Sequence, residues 1–170
     1  MSKLMTPSER MQRVFDFLDA HQITYTWYDH PEAPTIEIAR QYWRTDGSKH
    51  CKNLFFRNHK GNRHYLVCFD ADQSLAIRDL EQHLRQGKLT FASEERMERW
   101  LGLRPGSVSP FGLINDPEQH VHLFLDSNLQ HYPSLSFHPN DNRATVVIDR
   151  EEFLRYLSTV GNSYEFIELY

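Results

Sequence analysis

Cysteine is scarce in this chain, glycine is sparse, and carboxylates are missing altogether from one central stretch. Two cysteines in 170 residues are too few for a disulfide scaffold, and without a secretory signal Cys51 and Cys68 read as free thiols. Seven glycines and eight prolines, with no low-complexity run and no internal repeat, exclude long disorder and solenoid or propeller arrays. No window approaches the roughly eighteen apolar residues of a membrane span. The first seven residues lack the apolar core of a leader, so a cytoplasmic protein without a membrane partner is expected.

Several chemical signatures are also missing. Ser107 and Ser109 have no Gly-x-Ser-x-Gly elbow, and the acidic residues show no paired-carboxylate spacing. A glycine-rich phosphate loop is absent, which argues against a kinase or nucleotide hydrolase. Ten histidines invite a metal reading. His120 and His122 would project from one face of a strand, with His50, His59, His64, His131 and His138 elsewhere as further donors. With no His-Glu-x-x-His helix and no cysteine cluster, neither a metal nor another cofactor is expected.

What is present suffices for one core. At 39% hydrophobic and 13% aromatic residues, the chain can bury roughly 70% of its unfolded surface, and residues 1–170 read as a single domain. The net charge is −4, yet residues 47–64 contain no carboxylate. Lys49, Lys52, Arg57, Lys60 and Arg63 alternate there with aromatics and amides, a composition suited to phosphate contact and to stacking or hydrogen bonding with a ribose or base.

Local patterns place the elements. Thr6 as N-cap, Pro7 at the first helical position and Glu9 closing a capping box predict a helix with Met11, Val14, Phe15 and Leu18 on one face, ending near His21. A strand is predicted over 23–28, then a turn at Pro31 and Pro34, then a helix capped by Thr35 and running to about Trp43. Residues 54–58 and 63–69 read as a hairpin around Gly61. A helix over 75–86, a short strand over 88–91 and a helix from Ser93 closed by Gly102 follow. Strands are then expected at 113–115, 121–125, 134–138, 144–149 and 164–169, with a helix over 151–160. Without a regular strand-helix-strand rhythm, the expected class is α+β: a mixed, mostly antiparallel sheet with helices packed around it.

Three local constellations stand out. Lys52-Asn53-Leu54-Phe55-Phe56 begins a strand, residues 106–110 form a Gly-x-x-x-Pro loop, and Phe137-His138-Pro139-Asn140 precedes the strand ending at Asp149. Singly, each has a plain structural reading. Lys52 would be a solvated lysine at a strand edge, Gly106 and Pro110 loop punctuation, Asn53 a bond to local backbone, and His138 a turn residue.

Together, in type, order and spacing, they resemble the YbaK/ProX-like aminoacyl-tRNA editing family, the prolyl-tRNA synthetase-associated editing domain, over nearly the whole chain. The resemblance implies that editing-domain fold and a free-standing deacylase that hydrolyses the ester of a wrong amino acid on proline tRNA. It makes Lys52 the essential residue, places backbone groups of the loop from Gly106 through Ser107, Val108, Ser109 and Pro110 around the ester, and adds His138 to the catalytic set. Asn53, Phe111, Phe137 and Asn140 are implied substrate contacts, and Lys49, Arg57, Lys60 and Arg63 tRNA contacts. Lys52 followed by Asn53, with the 137–140 segment, resembles the branch acting on alanyl-tRNA(Pro). Relatives removing cysteine, serine or threonine are the nearby alternatives, and a non-catalytic RNA-binding or protein-interaction module on the same fold is the alternative from another class. Mischarged tRNA(Pro) is the implied partner, with prolyl-tRNA synthetase or an elongation factor as transient ones, and no DNA. Residues 40–44, Arg-Gln-Tyr-Trp-Arg, are bulkier and more charged than the small-residue helix of the family.

The chemistry this asks of the residues is modest. An aminoacyl ester is labile, so the protein has to hold the terminal ribose and carbonyl, place a water and stabilise the developing oxyanion. Lys52 suits the terminal phosphate, amides of the 106–110 loop suit the carbonyl, and the substrate's own ribose hydroxyl activates the water while His138 orients groups. A pocket that accepts alanine's methyl group can exclude proline's ring by clash, with Phe111, Leu113 and Phe137 near the expected wall.

Overall fold

A computed structural model describes residues 6–170, so the leader-free reading of the first five residues lies outside the described part. In chain order the elements are α1 (Glu9–Ala20), β1 (Thr26–Asp29), α2 (Ile36–Ala39), β2 (Lys49–Arg57), β3 (His64–Asp70), α3 (Ile77–Leu84), β4 (Thr90–Phe91) and α4 (Glu94–Leu101). A 3-10 turn (Pro110–Asn115), β5 (His122–Asp126), a second 3-10 turn (Ser127–His131), β6 (Ser134–Phe137), β7 (Ala144–Asp149), α5 (Arg150–Val160) and β8 (Tyr164–Ile167) complete it. The fold is mixed α/β, built on an eight-stranded sheet in the order β1-β7-β6-β2-β3-β5-β8, with β4 added to β2. Antiparallel pairings join β1 to β7, β6 to β7, and β2 to both β3 and β4. The parallel pairings are β2 with β6, β3 with β5, and β5 with β8.

Strand β3 shows why the sheet sits where it does. Every residue of His-Tyr-Leu-Val-Cys-Phe-Asp is buried, as expected for a near-continuous apolar run covered on both faces. Leu66 and Cys68 enter the larger core, with Met11, Val14 and Leu18 of α1 and Phe153 and Leu157 of α5. Their neighbours Tyr65, Val67 and Phe69 point the other way, into a smaller core with Leu80 of α3. Cys51 and Cys68 are both buried free thiols.

Three local readings are corrected. The N-cap of α1 is Ser8 rather than Thr6: its hydroxyl accepts from the Met11 amide at 3.3 Å and donates to Asp141 at 2.8 Å, which moves Pro7 outside the helix. The 113–115 strand is instead part of a 3-10 turn, started by Pro110 and capped by the Ser109 hydroxyl, which accepts from the Phe111 amide. Helix α2 stops at Ala39 instead of Trp43, because the backbone tightens into turns in which the amides of both Tyr42 and Trp43 donate to the Ala39 carbonyl. Thr35 does cap α2 through its hydroxyl, as Ser93 caps α4, and Gly102 closes α4 in the left-handed conformation.

Candidate active site

Strand β2 is paired unevenly along its two edges. On one side β3 accompanies it from Cys51 to Arg57. On the other, β6 pairs only with Lys49 and His50, and β4 only with Phe56 and Arg57. Residues 51–54 therefore face an opening in the sheet, and that opening is a cavity of about 440 Å³. An edge left open in this way presents side chains from both faces of a strand to one space, so His50, Cys51, Lys52, Asn53 and Leu54 all line it.

Four further segments close the cavity. Residues 33–37 at the start of α2, Trp43, Gly106 with Val108, and Ser136, Phe137, His138 and Thr145 of the β6–β7 hairpin contribute the rest of the wall. The structure thus brings together Lys52, Asn53, Gly106, Val108, Phe137 and His138 from three distant stretches of sequence. The Lys52 side chain makes no hydrogen bond or ion pair within the described residues. The side-chain oxygen of Asn53 is buried without a partner among the described residues, an arrangement that costs free energy unless a ligand or water supplies the donor.

His138 sits deep, and burial holds its pKa below the ordinary histidine value. Its Nδ1 lies 2.9 Å from the Ala144 carbonyl oxygen. A carbonyl only accepts, so Nδ1 carries the proton and Nε2 presents a lone pair. Burial likewise lowers the pKa of His50, whose ring stacks on Trp43 with centroids 4.0 Å apart and planes 8° apart. The bulky 40–44 segment has a structural role beside the cavity. Arg40 lies over the Trp43 ring, Tyr42 stacks on His30, and Arg44 covers Tyr28.

The Gly-x-x-x-Pro loop divides between lining and support. Gly106 has φ +85°, and a Cβ there would come within 3.2 Å of the Pro34 carbonyl oxygen, so glycine lets the loop close onto the 33–37 segment. The Ser107 amide is spent on the Arg104 carbonyl. The amides of Gly106 and Val108 donate to no acceptor among the described residues. Ser107, Ser109, Pro110, Phe111 and Asn140 do not line the cavity. Ser109 caps the turn, the Pro110 carbonyl accepts from the Tyr156 hydroxyl, and Phe111 packs edge-on to Phe137 and Tyr156. Asn140, at φ +63°, donates its amide to the Phe111 carbonyl at 3.2 Å. Through these bonds the turn after the loop is tied to α5 by Pro110 and to the β6–β7 hairpin by Phe111 and Asn140.

The basic residues separate as well. Lys49 lies 2.9 Å from both Asp70 and Asp72. Burial works against its charge, but the hydrogen bonds to the two carboxylates prevail and push its pKa up to about 12. Arg57, Lys60 and Arg63 lie at the far hairpin. Arg57 is five residues along β2 from Lys52, about 16 Å at the strand rise. Among the described residues no group of three or more histidine, cysteine or acidic side chains is placed to hold a metal. His120 instead meets His64 at 2.8 Å and stacks on Trp100, while His122 contacts Ser163 and Glu165.

Sequence reasoning missed Glu37, Trp43, His50, Ser136 and Thr145 as lining residues. Only the cap at Thr35 signalled that segment, because the contacts joining it to β2 and β7 are non-local. Chemically, the cavity offers an unpaired ammonium, two unspent backbone donors, an imidazole acceptor, a buried amide oxygen and apolar walls. That set suits binding and polarising an ester attached to an anionic group; it contains no activated nucleophile.

The family model of the aminoacyl-tRNA editing domain matches residues 30–156. The prolyl-tRNA editing protein ProX of Acetoanaerobium sticklandii is 39% identical over 158 residues, 93% of this chain and 96% of that protein. Prolyl-tRNA synthetase associated domain-containing protein 1 of Danio rerio is 32% identical over 90% of this chain and 84% of its own length. A crystal structure proposed to be a trans-editing enzyme for prolyl tRNA synthetase superposes with TM-score 0.74, covering 96% of this chain and 99% of that one at 22% identity, which is a likeness of fold.

Proposed function

The chain belongs to the aminoacyl-tRNA editing domain family, and on that premise we propose that it is a trans-editing deacylase that hydrolyses alanyl-tRNA(Pro). The observation carrying this reading is the convergence of Lys52, the Gly106 loop and His138 on one cavity at the open edge of β2.

In the proposed reaction, Lys52 holds the phosphate of the terminal nucleotide and so sets the ribose in the cavity. The unspent amides of Gly106 and Val108 are the donors available to the ester carbonyl as it becomes an oxyanion. A water attacks that carbon and loses its proton by way of the ribose hydroxyl. The bond from carbonyl carbon to ribose oxygen breaks, and the ribose oxygen leaves protonated, giving free amino acid and tRNA. His138 Nε2 accepts a hydrogen bond that orients water or ribose, and Asn53 supplies a second acceptor. Discrimination is steric. Ala33, Pro34, Ile36, Leu54, Val108 and Phe137 are the apolar residues of the wall, and in this reading they admit a methyl group and clash with a pyrrolidine ring.

The test is deacylation of alanyl-, cysteinyl-, seryl- and prolyl-tRNA(Pro) side by side. Preferential loss of the alanyl ester supports the proposal, preference for another ester moves the specificity, and no hydrolysis of any ester favours a binding module.

A further inference from the structure

The cavity wall carries one carboxylate and one ammonium. Glu37 reaches it from the first turn of α2 and Lys52 from β2. Glu37 is exposed at the cavity rim and Lys52 half-buried; neither side chain takes part in a hydrogen bond or ion pair within the described residues, and their charged atoms lie more than 4.0 Å apart. Lys49 pairs with Asp70 and Asp72, and Arg40 with Asp72. Two opposite charges that share a cavity and leave each other unpaired match a ligand with its own separated pair.

The end of an aminoacylated RNA has that form. Its terminal phosphodiester is negative, its α-amine is protonated up to a pKa of about 8, and the ribose and ester carbonyl lie between them. With Lys52 on the phosphate, the positive end of the ligand needs an anion across the cavity, and Glu37 is the carboxylate the wall provides. We propose that Glu37 receives the α-ammonium of the substrate, so that the protein selects esters with a free, charged amine over N-blocked ones. This rests on the editing reading and adds to it a positioning residue and a substrate class, aminoacyl rather than peptidyl or formylated esters. The lone carboxylate in a wall otherwise built of neutral side chains and one lysine is what points to a cation.

The test uses amide-linked, non-hydrolysable analogues of 3′-alanyl-adenosine monophosphate and of its 3′-propionyl counterpart, in which hydrogen replaces the amine. Dissociation constants are measured by calorimetry for wild type, Glu37→Gln and Glu37→Asp. The expected result is roughly fivefold tighter binding of the alanyl analogue by wild type. Glu37→Gln should remove that preference without changing the propionyl value, and Glu37→Asp should restore part of it. Equal binding of both analogues by wild type, or equal weakening of both in Glu37→Gln, overturns the role of Glu37 and leaves the editing reading standing. Binding of neither analogue by wild type overturns both.

Discussion

His138 donates its Nδ1 proton to the Ala144 carbonyl oxygen at 2.9 Å, and that one bond sets what the imidazole can do in the cavity. With Nδ1 committed, Nε2 is an acceptor for as long as the ring stays neutral, and burial keeps it neutral below the usual histidine range. On the acid side of neutrality, deacylation should fall as pH drops through that lowered pKa. His138→Ala should lower kcat by about tenfold or more, less than the loss of a full acid–base catalyst, and flatten the acid limb. A rate–pH profile of wild type beside the variant checks both.

Lys52 carries a charge unmatched within the described residues, so its removal should cost function rather than stability. Lys52→Ala should abolish deacylation while unfolding stability stays within about 0.5 kcal/mol of wild type, as for substitutions outside a packed core. Single-turnover deacylation and urea denaturation on one preparation measure the two. Loss of folding in this variant would remove Lys52 from the site.

Gly106 combines φ +85° with close approach to Pro34. Gly106→Ala should destabilise the fold by roughly 1–2 kcal/mol through left-handed strain. It should also lower kcat/KM, because the loop that brings Val108 to the cavity must shift. Thermal unfolding and deacylation kinetics would show both losses, whereas Gly47→Ala, with φ +82° and open space around it, should show only the strain.

His64 reports on acid stability. Burial, then the charges of His120 and Arg96, lower its pKa to about 4. The folded state therefore disfavours its proton, so this contribution is complete above the unfolded value of about 6.5 and is lost as pH falls from there through about 4. The urea midpoint of wild type should drop across that window more steeply than that of His64→Asn. Parallel slopes would show that His64 is not the group responsible.

The logarithm of RNA affinity should fall linearly with the logarithm of salt concentration. Lys60→Ala and Arg63→Ala should each reduce that slope by about one if these hairpin residues meet phosphates. Lys49→Ala should leave the slope unchanged, because its charge is spent on Asp70 and Asp72, and should instead destabilise the protein. Fluorescence titrations over a range of salt distinguish these outcomes.

Much of the fold was legible locally. Thr35 and Ser93 capped the helices they announced, Gly61 and Gly102 adopted the positive φ that their turns required, and residues 63–69 formed the second strand of the hairpin. Of the failures, one has a local cause and one a distant cause. Leu113-Ile114-Asn115 reads as a strand until Pro110 and the Ser109 cap commit the segment to a 3-10 turn, and Ser8 displaces Thr6 as cap because Asp141, 133 residues away, holds its hydroxyl.

The sequence by itself determined the mixed class of the fold, the helix caps at Thr35, Ser93 and Gly102, and the carboxylate-free stretch that made Lys52 conspicuous, since each of these depends on neighbours within a few residues. Only the tertiary structure decided which lysine is available. Lys49 and Lys52 look alike in that stretch, but residues three apart on a strand point to opposite faces. Asp70, paired in register with Cys51 on β3, meets the face of Lys49 and neutralises it. Lys52 is left to the cavity, which itself exists because β6 parts from β2 after His50.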